Sequence, residues 1–224
     1  MGDSIENEIP YIQFRDVSFA YPGKREDLIS KCNFSIDKPG FWMVVGQNGS
    51  GKSTLLKLIN GIIKPNFGVI YCKANIGIVF QNPDHQILMP NCRSELLLNI
   101  NQNISDYEIS KKIEYVLDQV ELTGFEKRPV YTLSGGQKQR LTIACSLISN
   151  RNLILLDEPT SLLDKKSQLK VLKTIKNLTS DDKKPLSALW ITHRYEELIY
   201  ADAVAELKNG FLSSWQEPSK FQYN

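Results

Sequence analysis

The sequence lacks paired cysteines, long apolar runs and a strong charge of either sign. Its longest apolar runs, such as residues 41–45, are far too short to span a membrane. The net charge of +2 gives no argument for an anionic membrane surface, and we expect no nucleic-acid partner. Four cysteines without C-x-x-C spacing indicate reduced thiols in a cytosolic protein, not a disulfide framework or a zinc site: Cys32, Cys72, Cys92 and Cys145.

A secretion signal, internal repeats and low-complexity tracts are also missing from the sequence. Residues 1–10 are polar and acidic, without the apolar centre of a signal peptide. With 224 residues and an ordinary apolar content, the chain can form a sizeable core, and we expect one domain over 1–224. The polar ends, 1–10 and 216–224, are predicted to be tails.

Residues 41–58 pass from an apolar run through a glycine-rich turn into a helical pattern. This stretch fits the phosphate-binding pattern G-x-x-x-x-G-K-[ST], in the strand–loop–helix context that the pattern requires. Backbone N–H groups at a helix N-terminus bind anions, the lysine adds charge for the β- and γ-phosphates, and the serine hydroxyl can ligate Mg²⁺. A glycine turn that only happens to precede a lysine is the alternative. The fixed positions are Gly46, Gly51, Lys52 and Ser53.

Apolar runs alternate with helical patterns along the rest of the chain, which predicts an α/β fold. Continuous apolar strands are expected at 41–45, 153–156 and 186–191, in a mostly parallel sheet covered by helices on both faces. Residues 11–21 are rich in aromatic and β-branched side chains and predict an early strand or hairpin. A short strand is also expected at 33–36 and a short helix at 195–200. Between 82 and 130 the pattern is helical, which indicates an inserted helical segment.

Polar residues follow the predicted parallel strands, at the edge where ligands bind in such sheets. Asp157 follows the second apolar strand and can hold Mg²⁺, although it could simply cap the next turn. Glu158 is the candidate general base for hydrolysis, and a surface glutamate before a proline is the alternative. His193 follows the third strand, where it suits a γ-phosphate contact, whereas a lone histidine is more often structural.

A second glycine-rich stretch, after the phosphate loop, begins a predicted helix within residues 133–140. Gly135 and Gly136 let backbone N–H groups approach a phosphate, and Ser134 can cap the helix. Taken alone, this pattern is only a good helix start. Beside the phosphate loop it indicates a second phosphate site, which the first nucleotide cannot easily reach within one chain. Two such sites predict a dimer that traps ATP between subunits.

These motifs resemble those of ABC-type ATPases, the nucleotide-binding subunits of ATP-binding cassette systems, over about residues 11–215. The most specific element is the Leu-Ser-Gly-Gly-Gln signature at 133–137 together with the phosphate loop. The resemblance implies a P-loop NTPase fold with an N-terminal antiparallel β portion. It further implies a nucleotide-binding core at 11–81 and 131–215 and an inserted helical subdomain at 82–130.

The resemblance also implies roles for individual residues toward ATP and Mg²⁺. Glu158 is the expected catalytic glutamate, His193 the switch histidine, and Gln81 a lever between the nucleotide and a membrane partner. Tyr21 is expected to stack on adenine, with an ordinary surface aromatic as the alternative. The magnesium set is Ser53, Gln81 and Asp157. The nucleotide set joins the Walker A loop, the signature and the D-loop aspartate: Gly46, Asn48, Gly49, Ser50, Gly51, Lys52, Ser53, Thr54, Ser134, Gly135, Gly136, Gln137 and Asp164.

Residues 80–86 read Phe-Gln-Asn-Pro-Asp-His-Gln, similar to ATPases of energy-coupling-factor importers, including the cobalt-transporter group. Those importers take up vitamins or transition metals through a transmembrane coupling protein and a membrane substrate-binding protein. We therefore expect an ATP-hydrolysing subunit on the cytoplasmic inner face of the cell membrane, paired with a second ABC ATPase subunit, identical or related. A soluble ABC ATPase of an iron–sulfur assembly complex, or a nucleotide-gated subunit that hydrolyses little, are the alternatives.

Three features depart from the pattern of this family. The segment between Gly68 and Gln81 is short, so its antiparallel strands are expected to be trimmed. Arg194 follows the switch histidine where an aspartate is common, which could alter subunit contacts. The chain after Trp215 is short, so we expect no regulatory domain there. None of these departures removes a candidate catalytic group.

Overall fold

A computed structural model describes residues 11–221 apart from 101–103, 182 and 185, so the predicted tail at 1–10 and the last residues of the second tail lie outside the described residues. The strands are β1 (Ile12–Phe19), β2 (Ile29–Ile36), β3 (Gly40–Val45), β4 (Phe67–Cys72), β5 (Ile76–Val79), β6 (Leu153–Asp157), β7 (Ser187–Thr192), β8 (Ala203–Lys208) and β9 (Phe211–Leu212). The α-helices are α1 (Lys52–Ile59), α2 (Cys92–Leu97), α3 (Asp106–Gln119), α4 (Gly135–Ile148) and α5 (Lys165–Thr179). Short 3-10 helices include Pro83–His85 and Tyr195–Tyr200.

The strands form two sheets, and the larger one is mostly parallel. Its order is β5-β6-β7-β3-β8-β9, with only the β8–β9 hairpin antiparallel. The smaller sheet is antiparallel in the order β2-β1-β4. In the larger sheet Val45 lies opposite Thr192, and Asp157 lies opposite Ile191. The carboxyl ends of β3, β6 and β7 therefore meet at one edge, and the predicted α/β architecture with an antiparallel portion is confirmed.

The larger sheet separates two apolar clusters, because successive side chains on a strand point to opposite faces. Along β3, Met43 and Val45 pack in a cluster with residues of helices α2 to α5. Trp42 and Val44 pack on the opposite face with residues of β1, β2 and α1. Every residue of β3 and β7 is buried, which explains the continuous apolar runs in the sequence.

Some element boundaries differ from those that the sequence predicts. Strand β2 begins at Ile29, whereas the pattern predicts a strand only over 33–36. The difference arises at Lys31, whose φ of 42° interrupts the alternation of side chains. The segment from Gly68 to Gln81 contributes β4 to the small sheet and β5 to the large one. The short helix at 195–200 is a 3-10 helix.

Helices α2 and α3 lie within the segment 82–130. A capping box starts α3, in which Ser105 and Glu108 each accept a hydrogen bond from the other's backbone N–H. Buried residues of both helices belong to the same apolar cluster as β3 and α4, so the core is continuous with the sheet. The bounds of a helical subdomain therefore stay a prediction. In the described part of the chain, no helix combines the length and the apolar character needed to cross a membrane.

Candidate active site

The loop over residues 46–51 connects β3 to α1 and depends on glycine at three positions. Gly49 and Gly51 have φ of 82° and 103°, in the left-handed region that favours glycine. A Cβ atom on Gly46 would lie 2.5 Å from the carbonyl oxygen of Leu207, so the loop passes too close to β8 for a side chain. Gly51 caps α1 without a side-chain hydrogen bond, which leaves the first N–H groups of the helix to an anion.

Lys52 begins α1 and is only 5% exposed. Its ammonium group donates hydrogen bonds to the carbonyl oxygens of Gly46 (2.8 Å) and Gln47 (3.0 Å). The same nitrogen lies 3.4 Å from Oε1 of Glu158. The lysine charge is therefore held over the loop, where the phosphates bind in loops of this pattern.

Ser53 and Asp157 form a pair of oxygen ligands beside the loop. The Ser53 hydroxyl donates a hydrogen bond of 3.0 Å to Oδ1 of Asp157, the last residue of β6. Burial raises the pKa of the Asp157 carboxyl group, and Glu158 adds to this increase, while Ser53 and Lys52 oppose it. A serine hydroxyl and a carboxylate are hard oxygen donors, the kind that Mg²⁺ takes beside nucleotide phosphates. The donor set thus fits a magnesium ion.

Glu158 lies between Lys52 and His193. Its Oε2 atom is 2.9 Å from Nδ1 of the histidine, and its side chain is 15% exposed. The backbone of Glu158 has a φ of 45°, which is uncommon for a residue other than glycine, and its N–H donates to the carbonyl oxygen of Ile191. Strained backbone of this kind clusters at functional sites, where surrounding contacts hold it in place.

Gln81 lines the same cleft as this group, and Asp164 is the N-cap residue of α5. The Gln81 side-chain amide donates to the hydroxyl of Ser161 at 2.9 Å. Ser161, in the loop after Glu158, is thus a residue of this region for which the sequence analysis predicts no individual role. Asp164 caps α5 by accepting hydrogen bonds from the N–H (3.0 Å) and hydroxyl (2.7 Å) of Ser167, which hold the pKa of its carboxyl group below the usual value.

One cleft of about 390 Å³ is lined by half of the predicted site residues. Tyr21 lies beside it, with its hydroxyl 3.2 Å from Oγ1 of Thr54 and its ring in edge-to-face contact with Phe19. Ser50 lines an adjoining hollow that shares two loop residues with the cleft. The residues that line the cleft are Leu28, Asn48, Gly49, Gly51, Lys52, Ser53, Thr54, Gln81, Asp157 and Glu158.

The signature residues lie at the start of α4 and line a different hollow. Ser134 and Gln137 form a capping box, with hydrogen bonds of 3.3 Å and 2.9 Å. A Cβ atom on Gly136 would lie 2.6 Å from Cβ of Ser167, so the second glycine also lets α4 pack against α5. Within one chain, the phosphate loop lies close to Asp157, Glu158 and His193, whereas the signature residues line a separate hollow. The second hollow is lined by Ser134, Gly136, Gln137, Arg140, Lys166, Ser167 and Lys170.

Glu197 is a further residue of this region that the sequence reasoning missed. It is 2% exposed, although it follows the charged residues Arg194 and Glu196 in the sequence. Its carboxylate accepts hydrogen bonds from Thr160, Trp190 and Thr192, beside the loops that carry Glu158 and His193. The sequence offers one signal for it, a carboxylate four residues after the histidine.

Comparison with known proteins identifies relatives that span most of the chain. The family model described as ABC transporter matches residues 29–161. ABC transporter I family member 10 of Arabidopsis thaliana is 39% identical over 185 residues, which cover 82% of this chain and 68% of that protein. The energy-coupling factor transporter ATP-binding protein EcfA1 of Streptococcus pyogenes is 33% identical over 225 residues, 93% of this chain and 80% of the relative.

Solved structures give the same result. The structure of cbiO1 from Clostridium perfringens, part of the ABC transporter complex cbiONQ, aligns with a TM-score of 0.86 and 25% identity over 94% of this chain and 90% of that one. A dimeric ATP-binding cassette in a post-hydrolysis state, bound to ADP and Pi, aligns with a TM-score of 0.76 and 26% identity over 94% of this chain and the whole of that one. The predicted resemblance is confirmed: the chain belongs to the ABC transporter family, as an ATPase of the energy-coupling-factor group.

Proposed function

We propose that this chain binds and hydrolyses ATP to energise an importer of the energy-coupling-factor type, for a vitamin or a transition-metal ion. The observation that carries the proposal is the group at one sheet edge, where Glu158 meets both Lys52 and His193 beside the Ser53–Asp157 pair. The names of the S. pyogenes and C. perfringens relatives support a transporter and disfavour the iron–sulfur alternative.

In the proposed reaction the loop and Lys52 bind the β- and γ-phosphates of ATP. Tyr21 stacks on the adenine in this proposal, supported by the contact of its hydroxyl with Thr54, which lines the cleft. Ser53 and Asp157, joined by Gln81, would hold Mg²⁺, which neutralises charge on the phosphate oxygens when bound. These contacts fix the γ-phosphate in front of Glu158.

Glu158 then orients a water molecule and accepts its proton as the water oxygen bonds to the γ-phosphorus. The bond between that phosphorus and the ADP oxygen breaks, and the products are ADP and inorganic phosphate. His193 holds the glutamate through the 2.9 Å contact of its Nδ1 and lies where it can also contact the γ-phosphate. The two side chains therefore act as one unit in the proposal.

The second ATPase subunit completes the site in this proposal. The backbone N–H groups of Gly135 and Gly136, with Ser134 and Gln137, contact the γ-phosphate bound by the other subunit, and Asp164 approaches the same interface. The dimeric structure that aligns with this chain supports such a pair. A transmembrane coupling protein and a membrane substrate-binding protein are the further proposed partners, so the chain is placed on the cytoplasmic inner face of the cell membrane.

One purification tests both parts of the proposal. The tagged chain is isolated from solubilised membranes, its partners are identified, and ATP turnover is compared between wild type and Glu158→Gln. We expect a multi-span membrane protein to co-purify, and turnover to fall by about 10²- to 10⁴-fold in the variant, with ATP-stabilised dimers.

The matched control is Glu114→Gln. Glu114 is an exposed carboxylate on α3, and its ion pair is with Lys111 of the same helix, not with a residue of the cleft. Its turnover should equal that of wild type. Unchanged turnover in Glu158→Gln would remove this glutamate from its role. A fully soluble chain without any membrane partner would contradict the transport function while leaving the ATPase assignment intact.

A further inference from the structure

Glu197 is a buried carboxylate that ties together the two loops of the catalytic edge. Its Oε1 atom accepts a short hydrogen bond from the hydroxyl of Thr160. Its Oε2 atom accepts hydrogen bonds from the hydroxyl of Thr192 at 2.7 Å and from the indole N–H of Trp190 at 3.0 Å. Nε of Arg194 lies 3.8 Å from Oε1 and balances the charge. The carboxylate is therefore fully satisfied, as a buried polar group needs to be.

The two threonines flank the catalytic pair. Thr160 lies two residues after Glu158, in the loop that follows β6. Thr192 immediately precedes His193 at the end of β7, and its hydroxyl also accepts a hydrogen bond from the N–H of Arg194 at 3.0 Å. The Thr192 hydroxyl thus links the backbone on both sides of His193, and Glu197 fixes this hydroxyl through a hydrogen bond.

Glu158 is also held by Lys52 and by its backbone hydrogen bond to Ile191, so the imidazole is the less constrained member of the catalytic pair. The His193 side chain is 38% exposed, and its contact with Glu158 is the hydrogen bond described above. The position of the imidazole therefore depends mainly on the backbone from Thr192 to Arg194. The Arg194 side chain points to Glu196 (3.0 Å) and toward Glu197, so it stays with this loop.

We infer that Glu197 is a positioning residue for ATP hydrolysis, which sets the separation of Glu158 and His193 through Thr160 and Thr192. The inference deepens the proposed function and rests on it. The carboxylate touches neither the cleft nor its nucleotide-facing residues, so its effect is on the chemical step and not on ATP binding. A displacement of about 1 Å in a catalytic group costs roughly 100-fold in rate.

Thr160→Val and Thr192→Val test the inference, since each removes one hydroxyl and leaves Glu197 and the side-chain volume in place. At saturating ATP we expect kcat to fall by about 10- to 100-fold in each variant. The Kd for ATP should change by less than about twofold, because the loop and Lys52 are untouched. Glu197→Gln should keep most of the activity, since its amide can accept from Thr192 and Trp190 and donate to the Thr160 oxygen.

Thr174→Val is the matched control. Thr174 is similarly buried, but its hydroxyl, within the described residues, bonds only to a carbonyl of its own helix, that of Lys170. A purely structural role for the bridge would move the melting temperature without changing kcat in folded protein, and that result would overturn the inference. Equal losses of kcat and ATP affinity would overturn it as well.

Imidazole NMR signals give a direct readout, because the chain has only two histidines, His85 and His193. Thr192→Val should shift the His193 signals and leave those of His85 unchanged. Unmoved His193 signals would contradict a positioning role. The wild type and Glu158→Gln are measured alongside: an inactive wild type contradicts the proposed function itself, and the inference then falls with it.

Discussion

Lys52 and Glu158 form an ion pair in which neither side chain has much contact with water, with side chains 4% and 15% exposed. Salt screens such a pair less than a pair on the surface. Each charge weakens the attraction that the other exerts on a charged ligand. The carboxylate therefore reduces the attraction of the lysine for an incoming phosphate. In the proposed mechanism the same group activates water, so its charge favours catalysis and opposes binding.

Glu158→Gln should therefore bind ADP more tightly than wild type, by about three- to tenfold, because the amide no longer competes for the lysine. ADP is the suitable ligand, since hydrolysis cannot affect the result. Titration with a fluorescent ADP analogue measures the change. His193→Ala is the control, because it removes the other partner of Glu158 and leaves the Lys52 pair in place. Equal affinities of wild type and Glu158→Gln would show that this charge has no effect on the phosphate.

At the level of elements, the start of α4 packs directly on the start of α5. A Cβ atom at Gly136 would lie 2.6 Å from Cβ of Ser167, which belongs to the first turn of α5. At Gly135 the nearest atom is the end of the flexible Leu163 side chain, at 3.2 Å. The two signature glycines thus differ: one is required by packing, and at the other a methyl group needs only a shift of a few tenths of an ångström in the flexible Leu163 side chain.

Gly136→Ala should lower the free energy of unfolding by about 1–2 kcal/mol, because the overpacking exceeds the roughly 0.5–1 kcal/mol that alanine gains over glycine in a helix. Gly135→Ala should be close to neutral in stability. Urea denaturation of both variants measures the difference. Adding Ser167→Gly should recover part of the loss in Gly136→Ala. Equal unfolding midpoints for the two alanine variants would contradict this account of the packing.

Much of the fold could be predicted because fully buried strands leave continuous apolar runs. Strands β3 and β7 begin within one residue of the predicted 41–45 and 186–191. The first half of β2 could not be predicted, since the left-handed φ of Lys31 disrupts the alternation. The assignment of β4 and β5 to different sheets is set by tertiary pairing, which periodicity does not encode.

In the candidate site, too, features set by local sequence could be predicted, and features set by tertiary contacts could not. The phosphate loop was found because its conformation is local and demands glycine at fixed spacing. The contact of Gln81 with Ser161 spans 80 residues, and that of Glu197 with Thr160 spans 37. No pattern along the chain indicates such pairs. The burial of the Glu197 carboxylate therefore becomes evident only from the folded structure.

For the whole molecule, the separation of the phosphate loop from the second proposed phosphate-binding surface, the signature, bears on how many copies a working site needs. The phosphate loop and the signature line different hollows of one chain. Two chains related by a two-fold axis would place each signature against the other's loop, and the symmetry gives two equal sites. Each site then has one half from each chain.

Mixing two inactive variants should therefore restore activity. Lys52→Ala disables the loop half and Gly135→Asp the signature half, so a mixed dimer keeps one intact site. Random mixing should give about a quarter of wild-type turnover, since half of the dimers are mixed and each has one of two sites. Lys52→Ala with Glu158→Gln is the control and should stay inactive, because both changes lie in the same half. No recovery in the first mixture would contradict a site shared between copies of this chain.

The contact between α4 and α5 has a consequence for such a dimer. The loop after Glu158 runs through Ser161 to Asp164, which caps α5 by binding Ser167, and Ser167 lies against Gly136 of the signature. The proposed catalytic glutamate of a chain and the glycine that it is proposed to present to its neighbour are therefore connected by one short, hydrogen-bonded segment. Occupancy of one ATP site would shift the other through that segment, and hydrolysis would be cooperative, with a sigmoidal dependence of rate on ATP concentration.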